Sequence, residues 1–196
     1  MMPDLFSGWG IRTLSSGHAA FNPFGYHIGS VWPASNAMIG FGFKRHGFNA
    51  QLHRLAQGIF DAAQIFELGR LPEVFGGHAR DRQHPHPGIY PQACSPQAWS
   101  AGAIVLLVQS MLGLIPVAPR QTLIIDPDLP EWLPELSIKN IRVGNARLGL
   151  RFRRDASGYT HHELIEQEGR LRIHRPAKGE SGADRFTTLM REVVAG

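Results

Sequence analysis

Apolar positions in the first part of the chain recur with helical spacing, whereas those after Pro116 alternate with polar ones. Leu52, Leu55, Ile59, Ala62, Ala63 and Phe66 fall on one face at i, i+3, i+4 intervals, which predicts an amphipathic helix. Asn49 suits its N-cap and the pattern carries on to Gly69. Before it, Val31-Trp32-Pro33 leads into Asn36–Phe43. Pro33 fits a first helical turn there, and Gly47 the left-handed position that closes a helix. A third helix is expected from Ser95 as N-cap, with Pro96 next, through Trp99 to Gly113. Its second half is apolar almost all round, which predicts burial on several sides.

Beyond Pro116, the segments 123–125, 136–143, 147–153, 163–167 and 170–174 read as short strands, with Gly144-Asn145 and Glu168-Gly169 as hairpin turns. Between the second and third helices, Arg70 to Cys94 form a connection rich in Gly, Pro and His. It is far longer than the usual 4 to 6 or so residues, and long loops on helical scaffolds carry function. The pattern divides the chain into a helical part, 1–117, a small antiparallel β segment, 118–175, and a flexible tail, 176–196, with a short helix expected over 184–194.

Composition narrows the function classes. A chain of 196 residues with 43% hydrophobic content can bury a sizeable core. Its longest apolar stretch, around Ile104 to Leu114, is too short to span a membrane. The N-terminus lacks a basic stretch followed by an apolar run, so no cleavable leader is expected and a cytoplasmic location follows. Cys94 stands alone, which excludes an internal disulfide and a cysteine zinc site. The net charge of +4 and pI near 9.7 would suit nucleic acid. The densest arginines, between Arg142 and Arg154, instead alternate with apolar residues as on the outer face of strands, so no nucleic-acid partner is expected. His78, His84 and His86 lack the spacing of a metal set, and no metal or cofactor is expected.

Three stretches stand out for chemistry: Gly8-Trp9-Gly10-Ile11-Arg12-Thr13, Tyr26-His27-Ile28-Gly29-Ser30-Val31-Trp32-Pro33 with Asn36, and Arg70-Leu71-Pro72-Glu73. Aromatic faces stack on the apolar side of a pyranose while Arg, His, Asn and Glu bond its hydroxyls. Packing of the same aromatics between helices is the competing reading, and composition alone favours it.

Together with Asn22-Pro23, Arg80 and Tyr90-Pro91-Gln92-Ala93-Cys94-Ser95-Pro96-Gln97-Ala98-Trp99, these phrases resemble, in one order, the C-terminal half of amylo-α-1,6-glucosidase (glycogen-debranching) type glycoside hydrolases. That group is related to mannosylglycerate hydrolase-like enzymes. The resemblance covers residues 8 to 115. It implies a mainly α fold, part of an (α/α) barrel of the six-hairpin toroid type, followed by the small antiparallel β segment.

It also implies inverting hydrolysis of α-glucosidic linkages by two carboxyl groups, held about 6.5 to 9.5 Å apart so that a water fits between them. Glu73 matches the general base. Trp9, Arg12, Tyr26, His27, Trp32, Asn36, Arg80 and Trp99 are the implied substrate contacts, with an oligosaccharide or glycoside as partner. The general acid of the resembled enzymes precedes these motifs, so the chain reads as a fragment whose partner is the N-terminal remainder of the same enzyme. A noncatalytic carbohydrate-binding or scaffold fragment is the alternative. Ala34-Ser35 stands where the family has His-Asp, a departure that touches the sugar contacts.

Overall fold

The structure is a computed structural model that describes residues 3–176 and residue 191. In chain order its elements are α1 (Pro33–Arg45), α2 (Asn49–Ile65), α3 (Ala98–Leu112), β1 (Ile115–Val117), β2 (Thr122–Ile124), β3 (Glu135–Val143), β4 (Ala146–Arg154), β5 (Thr160–Glu168) and β6 (Arg172–His174). They gather into two compact units, Met1–Phe43 with Ala50–Val108 and Lys44–Asn49 with Gln109–Gly196.

In the first unit α2 behaves as its pattern demands, burying Leu52, Leu55, Ala56, Gly58, Ile59, Ala62 and Ala63. It stops four residues short of Gly69. Leu68 takes a left-handed conformation (φ 55°) inside the 3-10 turn Glu67–Gly69, which breaks the hydrogen-bond ladder. Helix α1 buries Pro33, Asn36, Ala37 and Gly40, an i, i+3, i+4, i+7 stripe. At Gly40 side chains of α2 and α3 pack against α1. A methyl group there would lie 2.7 Å from Leu107 and 3.2 Å from Leu52.

The connection 70–94 is not a surface loop throughout. Leu71, Val74 and Phe75 are buried, and Val31 bridges both Arg12 and Phe75 in antiparallel pairing. Three separate stretches of chain thus meet in an irregular layer without forming a named strand. The second half of α3 is buried on several sides, as its apolar circumference predicts, with Leu107, Met111 and Leu112 fully buried and only Val105 open at 66%, while Trp99 in its first turn is 51% exposed.

In the second unit, β3, β4 and β5 form an antiparallel meander with β4 central. Leu148, Leu150 and Phe152 of β4 are fully buried. Gly144, at φ +58°, turns β3 into β4 where Gly-Asn predicts a hairpin. Glu135 pairs with Arg151 and Arg153, and Arg151 also with Glu163. These exposed cross-strand pairs contribute roughly 0.2 to 1 kcal/mol each. The second sheet has the order β1-β2-β6, with β1 antiparallel to β2 and β6 parallel to it. Glu168-Gly169 therefore does not close a hairpin. It redirects the chain from one sheet to the other.

This architecture corrects the expected fold class. Among the described residues there are three α-helices and two three-stranded sheets, one of them mixed. The fold is not mainly α, no (α/α) barrel is evident, and the β part is more than an antiparallel segment. Helical periodicity identifies individual helices, but the number of hairpins that close a ring is not encoded in it. No helix among the described residues is long and apolar enough to cross a membrane. The expected tail helix over 184–194, and all but Pro176 and Arg191 of the expected tail 176–196, lie outside the described residues.

Candidate functional site

Glu73 lies just after α2 and its 3-10 turn, in the segment Leu71-Pro72-Glu73. Its backbone is fixed by a hydrogen bond from its own N–H to the Cys94 carbonyl (2.9 Å), and Gln97 N–H reaches the Leu71 carbonyl (3.2 Å). These bonds bring the approach to α3 beside the start of the long connection. The carboxylate accepts a hydrogen bond from the Tyr26 hydroxyl at 2.9 Å, forty-seven residues earlier in the chain.

Tyr26 stands in a cluster of rings. Its centroid lies 4.6 Å from His27, 4.6 Å from Trp32 and 5.8 Å from Tyr90. His27 stacks on Trp32 at 5.2 Å with an interplanar angle of 11°, and Trp99 meets Trp32 edge-on at 6.0 Å. Edge-to-face contacts of this kind are favoured by the ring quadrupoles. The bond to Glu73 raises the Tyr26 phenol above its ordinary range, with burial and the carboxylate charge adding to it. Tyr26 is thus a donor held in its protonated form.

Trp32 itself is nearly buried, at 7% exposure. Its indole N–H donates to the Tyr26 carbonyl (2.9 Å) and the Ser30 hydroxyl (3.0 Å), and that hydroxyl donates in turn to the Tyr26 carbonyl (2.6 Å). Trp32 is therefore the floor that positions Tyr26. The open aromatic faces are those of Tyr26 and Trp99, which together with exposed His27 can offer a sugar a stacking surface beside a carboxylate.

Of the sequence-derived set, Glu73, Tyr26, His27, Trp32 and Trp99 come together. Among the described residues, Trp9, Arg12, Asn36 and Arg80 make other contacts, Asn36 reaching the set only through the Trp32 backbone carbonyl. Asn36 is buried and committed to the backbone, accepting from Ile11 N–H (2.6 Å) and donating to the carbonyls of Ile11 (3.1 Å) and Trp32 (2.9 Å). Arg12 is buried too, donating to the carbonyls of Gly77 (2.6 Å) and Asp4 (3.1 Å). Burial lowers its pKa and the Asp4 charge opposes that shift.

Trp9 is closed off beneath Arg80, whose guanidinium carbon sits 4.0 Å from the ring centroid and which pairs with Asp61 at 2.5 Å. Asp81 instead binds His84 and the backbone of Gln83 and His84. Trp9, Arg12 and Asn36 hold the fold around the site. Asn36 belongs to the same phrase as Tyr26, His27 and Trp32, and a motif does not separate wall from scaffold.

Two participants escaped the sequence reading. Ser30 locks the Trp32 indole, and Tyr90 extends the ring cluster. Tyr90 opens the phrase that ends in Trp99, and that adjacency was the available signal. Asp4 offers no proton. The Ser15 hydroxyl bonds its carboxylate and keeps the group ionised below its usual range. Among the described residues, the hydrogen bonds and ring contacts of this cluster include no second carboxylate. No group of three His, Cys, Asp or Glu among them could hold a metal ion. Compared with models of known protein families and with curated proteins, the chain matches none.

Proposed function

We propose that this chain carries part of the sugar site of an inverting glycoside hydrolase acting on α-glucosidic linkages, with Glu73 as general base. One observation carries the reading. A carboxylate is held by a phenol at 2.9 Å in a cluster of two tyrosines, one imidazole and two indoles, of which Tyr26 and Trp99 are open to a ligand. A pyranose stacked on Trp99 or Tyr26 would present its polar edge to Glu73. The Tyr26 hydrogen bond holds the carboxylate in place, and a base must be positioned to take a proton from water. The general acid is assigned to a carboxyl that this cluster does not contain, supplied by the N-terminal remainder of the enzyme.

That same lack of a second carboxylate favours a second reading, in which the chain binds carbohydrate and does not turn it over. Calorimetric titration of the full chain with isomaltose, maltotriose and trehalose tests both. Saturable binding, weakened about tenfold by Trp99→Ala through loss of the stacking face and kept in Glu73→Gln, is expected. Glucose release by the chain completed with its N-terminal remainder, followed by proton NMR, separates the two readings. Under the first, Glu73→Gln lowers turnover by roughly 10² to 10⁴ while sparing binding. Under the second, no glucoside is cleaved. Absence of saturable binding by every glucoside would remove both.

A further inference from the structure

The β-rich unit has a feature that the sugar site does not use. A shallow hollow of about 360 Å³ lies beside the parallel β2–β6 pair, and Arg120, Gln121, Gln167, Arg170 and Arg172 are among its lining. The three guanidiniums come from two pieces of chain. Arg120 ends the 3-10 turn before β2, Arg170 follows the turn after β5, and Arg172 opens β6.

The frame between them is fixed by hydrogen bonds. Arg172 N–H donates to the Gln121 carbonyl (2.9 Å), and the Gln167 amide donates to the carbonyls of Gly169 (3.0 Å) and Leu171 (3.5 Å). Gly169 makes the turn at φ +77°, a conformation that a residue with a side chain rarely adopts.

No carboxylate lines the hollow. Among the described residues, neither Arg170 nor Arg172 has an ion pair. Elsewhere in the same unit Arg151, Arg153 and Arg154 meet glutamates, which Arg170 and Arg172 do not. Arg170 and Arg172 thus line one hollow that holds no carboxylate, and an anion there relieves the repulsion between their like charges. Guanidinium forks match phosphate oxygens two at a time. The hollow also falls at the lower end of the roughly 300 to 1,000 Å³ typical of small-molecule clefts, which leaves room beyond a bare oxyanion.

We propose that this hollow binds the phosphoryl group of a small ligand, through Arg170 and Arg172 with Arg120 beside them. The body of the ligand lies against the amides of Gln121 and Gln167. The inference is independent of the glycosidase reading, because every residue it uses lies in the second unit.

Calorimetric titration of the full chain at constant ionic strength, with inorganic phosphate, glucose 6-phosphate and sodium chloride, is the test. Saturable one-to-one binding of a phosphate is expected, with chloride giving only heat of dilution. Arg172→Gln and Arg170→Gln should each weaken it about tenfold or more, and Arg172→Lys should restore only part of the loss, since an ammonium lacks the fork. Tighter binding of glucose 6-phosphate than of inorganic phosphate identifies an organic ester as the ligand, and equal affinities identify free phosphate. Both side chains are exposed, so melting curves should be unchanged. Arg120→Gln, outside the strands, gives the same readout if Arg172→Gln disturbs β6. Chloride-like behaviour of both phosphates, or undiminished affinity in the folded glutamine variants, overturns the proposal.

Discussion

With its oxygen on the Ile11 N–H and its nitrogen on two carbonyls, the buried amide of Asn36 ties the 11–12 segment to the first turn of α1. Asn36→Ala leaves buried backbone groups without partners. The expected cost is roughly 2 to 4 kcal/mol in urea unfolding, while any sugar affinity of the folded fraction is retained. A loss of affinity with no loss of stability would instead make Asn36 a ligand contact. Tyr26 allows a second test. Its phenol is raised by the bond to Glu73, so the stabilisation it contributes is fully present below the ordinary tyrosine pKa of about 10 and is lost as pH rises through the higher folded value. In an ultraviolet titration of phenolate, Glu73→Gln should move the Tyr26 transition down toward that ordinary value. An unmoved transition would mean that Tyr26 and Glu73 do not share the bond in solution.

At the scale of elements, Gly58 of α2 reverses the usual rule for helices. Alanine in a helix interior is favoured over glycine by about 1 kcal/mol. Here, however, a Cβ at position 58 would lie 2.8 Å from the Trp9 carbonyl and 2.9 Å from that of Gly8. Backbone cannot step aside as a flexible side chain does, so Gly58→Ala should lower the midpoint of urea unfolding, and a raised midpoint would contradict the close approach. The β4–β5 connection is expected to loosen in acid. Asp155 accepts from the Ser157 hydroxyl and the His161 ring, both at 2.6 Å, and from the backbone of Ser157 and Tyr159. These bonds lower its pKa, the Ser157 hydroxyl most. The contribution is therefore present above the ordinary aspartate pKa and fades as pH falls through the depressed one. Amide exchange should show the 155–161 turn loosening in acid before β4, and Asp155→Asn should loosen it at neutral pH.

What the sequence made legible at this scale was local. Pro33, Gly47 and the Leu52–Ala63 stripe located α1 and α2, and Gly144-Asn145 located the turn between β3 and β4, because caps, periodicity and turns act within a few residues. The parallel pairing of β2 with β6 joins residues about fifty positions apart, and no local signal encodes it. The candidate site divides in the same way. Glu73, Tyr26, His27, Trp32 and Trp99 were named from wording and do converge. That Trp9, Arg12 and Asn36 are scaffold depends on burial and hydrogen-bond partners, which emerge only from the assembled tertiary structure.

For the whole molecule, a ligand that binds only the folded form stabilises it by mass action, by about 1.4 kcal/mol at ten times its Kd. A glucoside bound at the aromatic cluster should therefore raise the melting temperature in a concentration-dependent way, and Trp99→Ala should abolish the rise. A rise that persists in Trp99→Ala would place the sugar elsewhere. The four tryptophans supply an optical readout of the same event. Trp9, 1% exposed and capped by the Arg80 guanidinium, and Trp32, under His27, are shielded from solvent, while Trp99 and Trp132 are open. Acrylamide should therefore quench a red-shifted fraction of the fluorescence and leave a blue one. A sugar that covers the cluster should protect the Trp99 share of the quenchable emission while leaving that of Trp132 as accessible as before.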